Sequence, residues 1–106
     1  MDKKSVLVIL NEFRAALERA NITVDKLVLF GSYANGNYHE DSDIDVAVVS
    51  RDFRDKTYWE KIDVLSDAIY QVFQPIEALA FTPEEWDQGD KIVLEFARKG
   101  EIVPVN

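Results

Sequence analysis

The first twenty residues have the spacing of an amphipathic helix. Between Lys3 and Ala20 the apolar residues recur at steps of three and four, which places them on one helical face. They are Val6, Ile9, Leu10, Phe13, Ala16, Leu17 and Ala20. We therefore expect this face to pack on a core, with Arg14 outside among the polar positions and Asn21 ending the helix.

Three short segments have the pattern of β-strands. Residues 26–30 are apolar after the first and stop at Gly31, which is typical of a buried strand. Residues 43–50 alternate between apolar residues on one face and a more varied set on the other. Pro75 prevents a helix from continuing and so permits a third strand over 76–81.

Capping signals place the remaining helices. Thr57 and Glu60 can form a capping box that opens a helix over 58–73, and Thr82 with Glu85 can do the same for a short helix. The inward stripe of the longer helix is predicted to be Tyr58, Ile62, Leu65, Ile69 and Val72.

A last helix is expected before an extended tail at 101–105. Asp90 can cap its start and Gly100 can stop it. Its apolar residues are Ile92, Val93, Phe96 and Ala97. Helices that alternate with short strands in this way predict an α/β fold, a small mixed sheet flanked by helices.

Composition narrows the class of protein. A length of 106 residues with 47% hydrophobic residues suits one globular domain over 1–106. The net charge of −8 opposes broad nucleic-acid binding, and the absence of cysteine excludes disulfides and thiolate metal sites. The N-terminus lacks the features of a signal peptide and no apolar run is long enough to span a bilayer, so we expect a soluble, cytoplasmic protein.

The pair Gly31-Ser32 lies where a strand gives way to a turn. Backbone N–H groups are free at the start of a helical turn, glycine permits close approach, and the serine hydroxyl can donate to a phosphate oxygen. Most Gly-Ser pairs are ordinary turns, so this pair gains meaning only from what accompanies it.

Paired aspartates follow on the second strand. Asp43 and Asp45 are two residues apart, so both carboxylates project from one face with Cα atoms roughly 6.5 Å apart and can reach a common metal. Glu77 interrupts the apolar third strand and can join them, either as a ligand or as the acceptor of a proton from an attacking hydroxyl. If Glu77 instead faces solvent, it is only the polar half of a strand.

Oxygen ligands alone favour Mg²⁺, and such a site is suited to phosphoryl or nucleotidyl transfer. A calcium loop beginning at Asp41 is the competing interpretation of the alternating carboxylates. It fails because Val46 stands where that loop requires glycine and Asp52 where it requires a bidentate glutamate. The segment is therefore predicted to be a strand.

Gly31-Ser32, a ten-residue gap, Asp43-Ile44-Asp45 and a later carboxylate together resemble the polymerase-β-like nucleotidyltransferase superfamily, in particular its minimal nucleotidyltransferases. The resemblance spans residues 27–50, and residues 75–86 are similar to the family's third strand and following turn. It implies the polymerase-β-like fold, Mg²⁺ bound by both aspartates with Glu77 as third acid, and a nucleoside triphosphate held by the Gly-Ser pair.

The resemblance also implies a partner. Proteins of this kind are often antitoxins paired with small helical HEPN-type toxins and can transfer AMP from ATP to a partner tyrosine. One departure bears on catalytic competence: relatives often carry Arg just before the next glycine, where this chain has Asn35. The alternative is a binding module that neutralises its partner by contact alone. His39 is expected at the surface, and Trp59 and Trp86 against the core or a partner.

Overall fold

A computed structural model describes residues 1–105 as a mixed sheet with helices on both faces. In chain order the elements are α1 (Lys3–Arg19), β1 (Lys26–Phe30), α2 (Ser32–Asn35), β2 (Ile44–Val49), a 3₁₀ turn (Arg51–Phe53), α3 (Tyr58–Val72), β3 (Ile76–Phe81), α4 (Pro83–Gln88), α5 (Ile92–Arg98) and β4 (Glu101–Ile102). The predicted α/β architecture is confirmed. No helix in the described part of the chain is both long and apolar enough to cross a bilayer.

The sheet has the strand order β3-β2-β1-β4. β1 pairs antiparallel with β2 and with β4, whereas β2 and β3 run parallel because α3 carries the chain back between them. This crossover brings the beginnings of β2 and β3 to the same edge of the sheet. Side chains at the first residues of β2 and β3 therefore lie next to one another at this end of the sheet.

Both faces of β2 are buried, and residues 43–50 alternate between them as predicted. Its face with Ile44, Val46 and Val48 packs in the larger core, formed with α1 and α3. The opposite face, with Ala47 and Val49, packs against residues of α4 and α5 in a second, smaller cluster. Asp45 shares this second face at the open end of the strand.

The predicted capping boxes are present at both sites. Thr57 Oγ1 accepts from the backbone N–H of Glu60, whose side chain accepts from Thr57 in return, and Thr82 and Glu85 repeat the exchange. The prediction that Asp90 caps α5 is wrong. Lys91 holds the capping position and no side chain bonds the first turn.

Arg14 is buried, contrary to the prediction that it would lie outside. Its guanidinium donates to the carbonyl oxygens of Val103 and Pro104, at 2.8 and 3.3 Å, and to Asn11. The C-terminal segment lies across α1 and supplies these acceptors, which periodicity along α1 could not reveal. Arg14 thus ties the segment after β4 to the first helix.

Helices α3 and α5 expose apolar side chains that were predicted to face inward. Tyr58 is exposed, and in α5 the buried residues are Leu94 and Ala97 rather than Ile92 and Phe96. A seven-residue helix makes two turns, so several apolar stripes fit its sequence and only packing decides among them. Trp86 lies in the smaller core, whereas Trp59 is 70% exposed.

Candidate active site

Gly31 lies directly against the carboxylate of Asp45. Phe30, the last residue of β1, is the antiparallel neighbour of Asp45, and Gly31 then turns with φ at +76°. A Cβ at Gly31 would stand 2.3 Å from Asp45 Oδ2, which no side chain tolerates. Glycine is therefore required here twice, once for the left-handed backbone and once for the space that the carboxylate occupies.

Asp45 and Glu77 are neighbours across the sheet. The parallel register pairs them residue for residue, so both side chains leave the same face at the edge where β2 and β3 begin. Asp43 precedes β2 by one residue and lies near enough for its charge to act on Asp45. The structure thus brings Glu77 to the aspartates, the orientation that the sequence left open.

Convergence of these carboxylates changes the proton affinity of Asp45. Partial burial, followed by the negative charge of Glu77, hydrogen bonding with Glu77 and the charge of Asp43, raises the pKa of Asp45 to about 6. The ion pairs in residues 1–105 lie elsewhere, at Lys3–Glu101, Asp25–Arg51 and Arg54–Glu84. The repulsion within the group is therefore not relieved by a basic side chain.

A cation is the ligand whose chemistry suits this donor set. The donors are carboxylate oxygens, which Mg²⁺ prefers, and Asp45 and Glu77 converge. No three acidic or histidine side chains of the described residues form a ready-made metal cage. Asp45 and Glu77 have the oxygen donors that a cation requires, and Asp43 adds a further negative charge nearby.

Ser32 begins the single turn of α2 immediately after Gly31. The backbone N–H groups of Ala34 and Asn35 donate to the Gly31 carbonyl, and no side chain caps the turn. Tyr33 fixes its position, because its ring is buried in the larger core and stacks on Tyr38 with 4.6 Å between ring centroids. The change from strand to helical turn predicted at Gly31-Ser32 is confirmed, whereas the anchoring role of Tyr33 was not predicted.

A cleft of about 430 Å³ opens between α2 and α5, beside Gly31. Asn35 lines its α2 side, and Phe96 and Lys99 line its α5 side. We call it the α2–α5 cleft. The sequence did not predict this cleft, because the apolar pattern of α5 does not show that Phe96 faces away from the core. His39, in contrast, is exposed, as predicted, with its ring Nδ1 accepting from the backbone of Asp41 at 3.3 Å.

Comparison with known proteins agrees with the fold and the sequence motif. The profile of the nucleotidyltransferase domain family matches residues 10–99. A protein of Methanocaldococcus jannaschii named "putative protein adenylyltransferase" is 35% identical over 48 residues, which is 44% of this chain and 48% of that protein. The match thus spans about half the length of the relative.

Two crystal structures share the fold at low sequence identity. A "putative nucleotidyltransferase" from Sulfolobus solfataricus superposes with a TM-score of 0.72 at 17% identity, covering 94% of this chain and 80% of that one. A toxin–antitoxin structure with AMP-PNP gives a TM-score of 0.61 at 19% identity, covering 91% of this chain and 73% of the other. With the family profile matched over most of its length, the chain belongs to the nucleotidyltransferase domain family.

Proposed function

We propose that this chain is a Mg²⁺-dependent nucleotidyltransferase that transfers AMP from ATP to a hydroxyl group of a protein partner. Family membership supports nucleotidyl transfer in general. The observation that carries the proposal is the alignment of Asp45 with Glu77, next to Asp43 and against Gly31. Within residues 1–105 no basic side chain forms an ion pair with these carboxylates. A cation bound between carboxylates that repel one another stabilises the whole group.

Each residue has a role in this reaction. Asp43, Asp45 and Glu77 would hold Mg²⁺, which supplies charge neutralisation for the triphosphate and the departing pyrophosphate. Gly31 leaves room for close approach of the phosphates, and the Ser32 hydroxyl donates to a phosphate oxygen.

The acceptor oxygen attacks the α-phosphorus, the bond from that phosphorus to the pyrophosphate oxygen breaks, and pyrophosphate leaves in line. Where Glu77 is not itself bound to the cation, its carboxylate accepts the proton of the attacking hydroxyl. Glu77 suits this role because β3 is the edge strand and its side chain is exposed, so an acceptor on another protein can reach it without entering the core.

Helix α3 supports a protein as the partner. Trp59 and Tyr70 are eleven residues apart in α3, about three helical turns, so they share one outward face. Phe73 follows the helix in a left-handed backbone conformation and stacks edge to face on Tyr70, with 6.4 Å between the ring centroids. Phe73 is 81% exposed. Large aromatic side chains are enriched where proteins bind one another, and Phe73 lies three residues before β3, the strand that carries Glu77.

A HEPN-type toxin is the partner that we propose, with its tyrosine as the acceptor. The toxin–antitoxin structure that shares this fold supports a paired protein, and the name of the archaeal relative supports adenylyl transfer to protein. Contact-only neutralisation is the second candidate. It is favoured by the neutral side chain of Asn35 beside Gly31, where a cation would strengthen triphosphate binding, and by the exposed aromatic side chains of α3.

The test is a transfer assay with a matched set of aspartate variants. The protein is incubated with Mg²⁺, labelled ATP and the protein encoded by the neighbouring reading frame, and mass spectrometry locates any AMP adduct. Asp43→Asn with Asp45→Asn should abolish the adduct, whereas Asp63→Asn, on the outer side of α3, should not. Partner neutralisation that survives the double substitution, with no adduct on the wild-type reaction, would establish the contact mechanism instead.

A further inference from the structure

The α2–α5 cleft is continuous with the carboxylate group. Gly31 belongs to both, since it lines the cleft and lies against Asp45. The end of α5 is held close to this point because a Cβ at Gly100 would stand 2.2 Å from the carbonyl oxygen of Leu29 and 3.0 Å from Phe30 Cβ. Lys99, the residue before Gly100, is therefore fixed beside the end of β1.

The walls of the cleft combine an apolar surface with one cation. Phe30, Val93 and Phe96 form the apolar part, and Phe96 is 64% exposed and belongs to neither core cluster. Lys99 is exposed and forms no ion pair within residues 1–105. An exposed cation therefore lies beside an exposed aromatic ring on the same wall of the cleft.

We propose that the α2–α5 cleft binds the nucleoside triphosphate, with the base stacked on Phe96 and the Lys99 ammonium group bound to a phosphate oxygen. The inference rests on the proposed function and assigns the nucleotide to residues of α5. The volume of about 430 Å³ lies within the range of roughly 300–1,000 Å³ typical of small-molecule sites. The ligand is chosen by charge and shape. The triphosphate provides a negatively charged partner for the Lys99 ammonium group, and the flat base covers the apolar wall.

Lys99 adds a positive charge to a site whose other charged side chains are carboxylates. Asn35, the residue of α2 that lines the same cleft, is neutral and can only donate or accept a hydrogen bond. Lys99, the residue that follows α5, is therefore the positive side chain among the described residues that line the cleft. The aromatic ring next to it gives affinity with little preference between bases, because every base has a flat face.

Calorimetric titration with two probes separates the two contacts. Mg–ATP offers base and phosphates, whereas Mg–tripolyphosphate offers phosphates alone. Phe96→Ala should weaken Mg–ATP binding by about 5- to 150-fold and leave Mg–tripolyphosphate binding unchanged. Lys99→Gln should weaken both probes by about tenfold. The matched controls on the same helix are Ile92→Ala and Lys91→Gln, neither of which lines the cleft.

The outcomes distinguish this inference from the proposed function. Wild-type protein that binds neither probe contradicts the proposed function and the inference together. Wild-type binding of Mg–ATP that Phe96→Ala and Lys99→Gln leave unchanged overturns the inference alone. Amide chemical shifts provide a second measurement without any variant: Mg–ATP should move the signals of Val93, Phe96 and Lys99, and Mg²⁺ alone should move those of Asp43, Asp45 and Glu77 instead.

Discussion

Carboxylates lie at both ends of the sheet, but they are paired with arginines at only one of them. Where β2 and β3 finish, Asp25 accepts from the Arg51 backbone at 2.8 Å and from its guanidinium at 2.5 Å, and Arg54 donates twice to Glu84. We call this the paired end. Where the same strands begin, Asp43, Asp45 and Glu77 share one edge without a basic partner, and we call this the carboxylate end.

The direction of the pKa shifts records the difference. The hydrogen bonds from Arg51 lower the pKa of Asp25, and those from Arg54 lower the pKa of Glu84. Burial and like charge raise the pKa of Asp45. The paired end gains stability from its charges, while the carboxylate end gives up stability to keep anions together, which is what a cation-binding site requires.

The largest expected effect is on the rate of AMP transfer, and it should appear when a glutamate is replaced at the carboxylate end but not at the paired end. Glu77→Gln should slow AMP transfer by about 10²- to 10⁴-fold, because the amide can neither accept the hydroxyl proton nor bind the cation as a carboxylate does. Glu84→Gln, the same change at the paired end, should leave the rate unaltered. Single-turnover assays at saturating Mg–ATP measure both, and a Glu77→Gln protein with the wild-type rate would remove Glu77 from the mechanism.

The next effect is on folding and compares two glycines with similar backbones. Gly31 and Gly36 have φ of +76° and +81°, but only Gly31 has a carboxylate where its Cβ would lie, and Gly36 has nothing within 4 Å. Gly36→Ala should cost about 1 kcal/mol of unfolding free energy for the backbone alone. Gly31→Ala should cost about 2–4 kcal/mol, since the carboxylate must move as well.

Urea denaturation measures both values, and a double variant isolates the contact. In an Asp45→Ala background the cost of Gly31→Ala should fall to that of Gly36→Ala. Equal costs for the two glycines in the wild-type background would contradict the close approach of Gly31 and Asp45.

A smaller effect, with opposite signs at the two ends, appears in metal-free protein. Because the pKa of Asp45 is raised to about 6, the folded state keeps a proton that the unfolded state has lost, and unfolding free energy falls as the pH rises from about 4 to about 6. Asp45→Asn removes that fall and should stabilise the protein at pH 7 by about 1 kcal/mol, allowing for solvent screening at this partly exposed position.

Asp25→Asn should do the reverse. The lowered pKa of Asp25 means that its contribution is present above the ordinary carboxyl pKa and is lost as the pH falls, so the variant should be less stable at pH 7 and lose the difference in acid. Thermal melts across pH 3–8 with a chelator present measure both. Destabilisation by Asp45→Asn at pH 7 would show that the carboxylate is compensated after all.

The smallest effect is expected at the outer pair of the paired end. Arg54 and Glu84 are both more than half exposed, so their attraction is screened by water. Arg54→Gln should leave the thermal midpoint and the transfer rate within experimental error. A clear loss of stability would mean that the paired end contributes more than its surface position indicates.

Local signals predicted most of the elements. The strands 26–30 and 76–81 match to the residue, because a glycine ends the first and a proline precedes the second. The capping boxes at Thr57 and Thr82 depend on residues three apart, so they too could be predicted. Periodicity failed where a distant segment supplies the environment, as at Arg14, whose acceptors lie about ninety positions along the chain.

In the candidate site, too, the residue types could be predicted from the sequence but their spatial arrangement could not. Residue types and spacing identified Gly31, Ser32, Asp43, Asp45 and Glu77, but the pairing of Asp45 with Glu77 depends on the parallel register that α3 imposes, which lies outside any local pattern. The cleft beside Gly31 could not be predicted from the sequence either. The α2–α5 cleft depends on which face of a seven-residue helix turns inward, and several faces of α5 fit the sequence equally well.

The placement of Asp45 and Glu77 on paired strands, rather than on loops, has a consequence for motion. Their backbones belong to the hydrogen-bonded ladder of β2 and β3, so the distance between the two carboxylates cannot fluctuate widely unless the sheet itself opens. Amide hydrogen exchange at Asp45 should therefore approach the rate set by global unfolding. Side-chain rotation is then the main freedom left to the two carboxylates, so the fold sets their spacing before any ligand arrives.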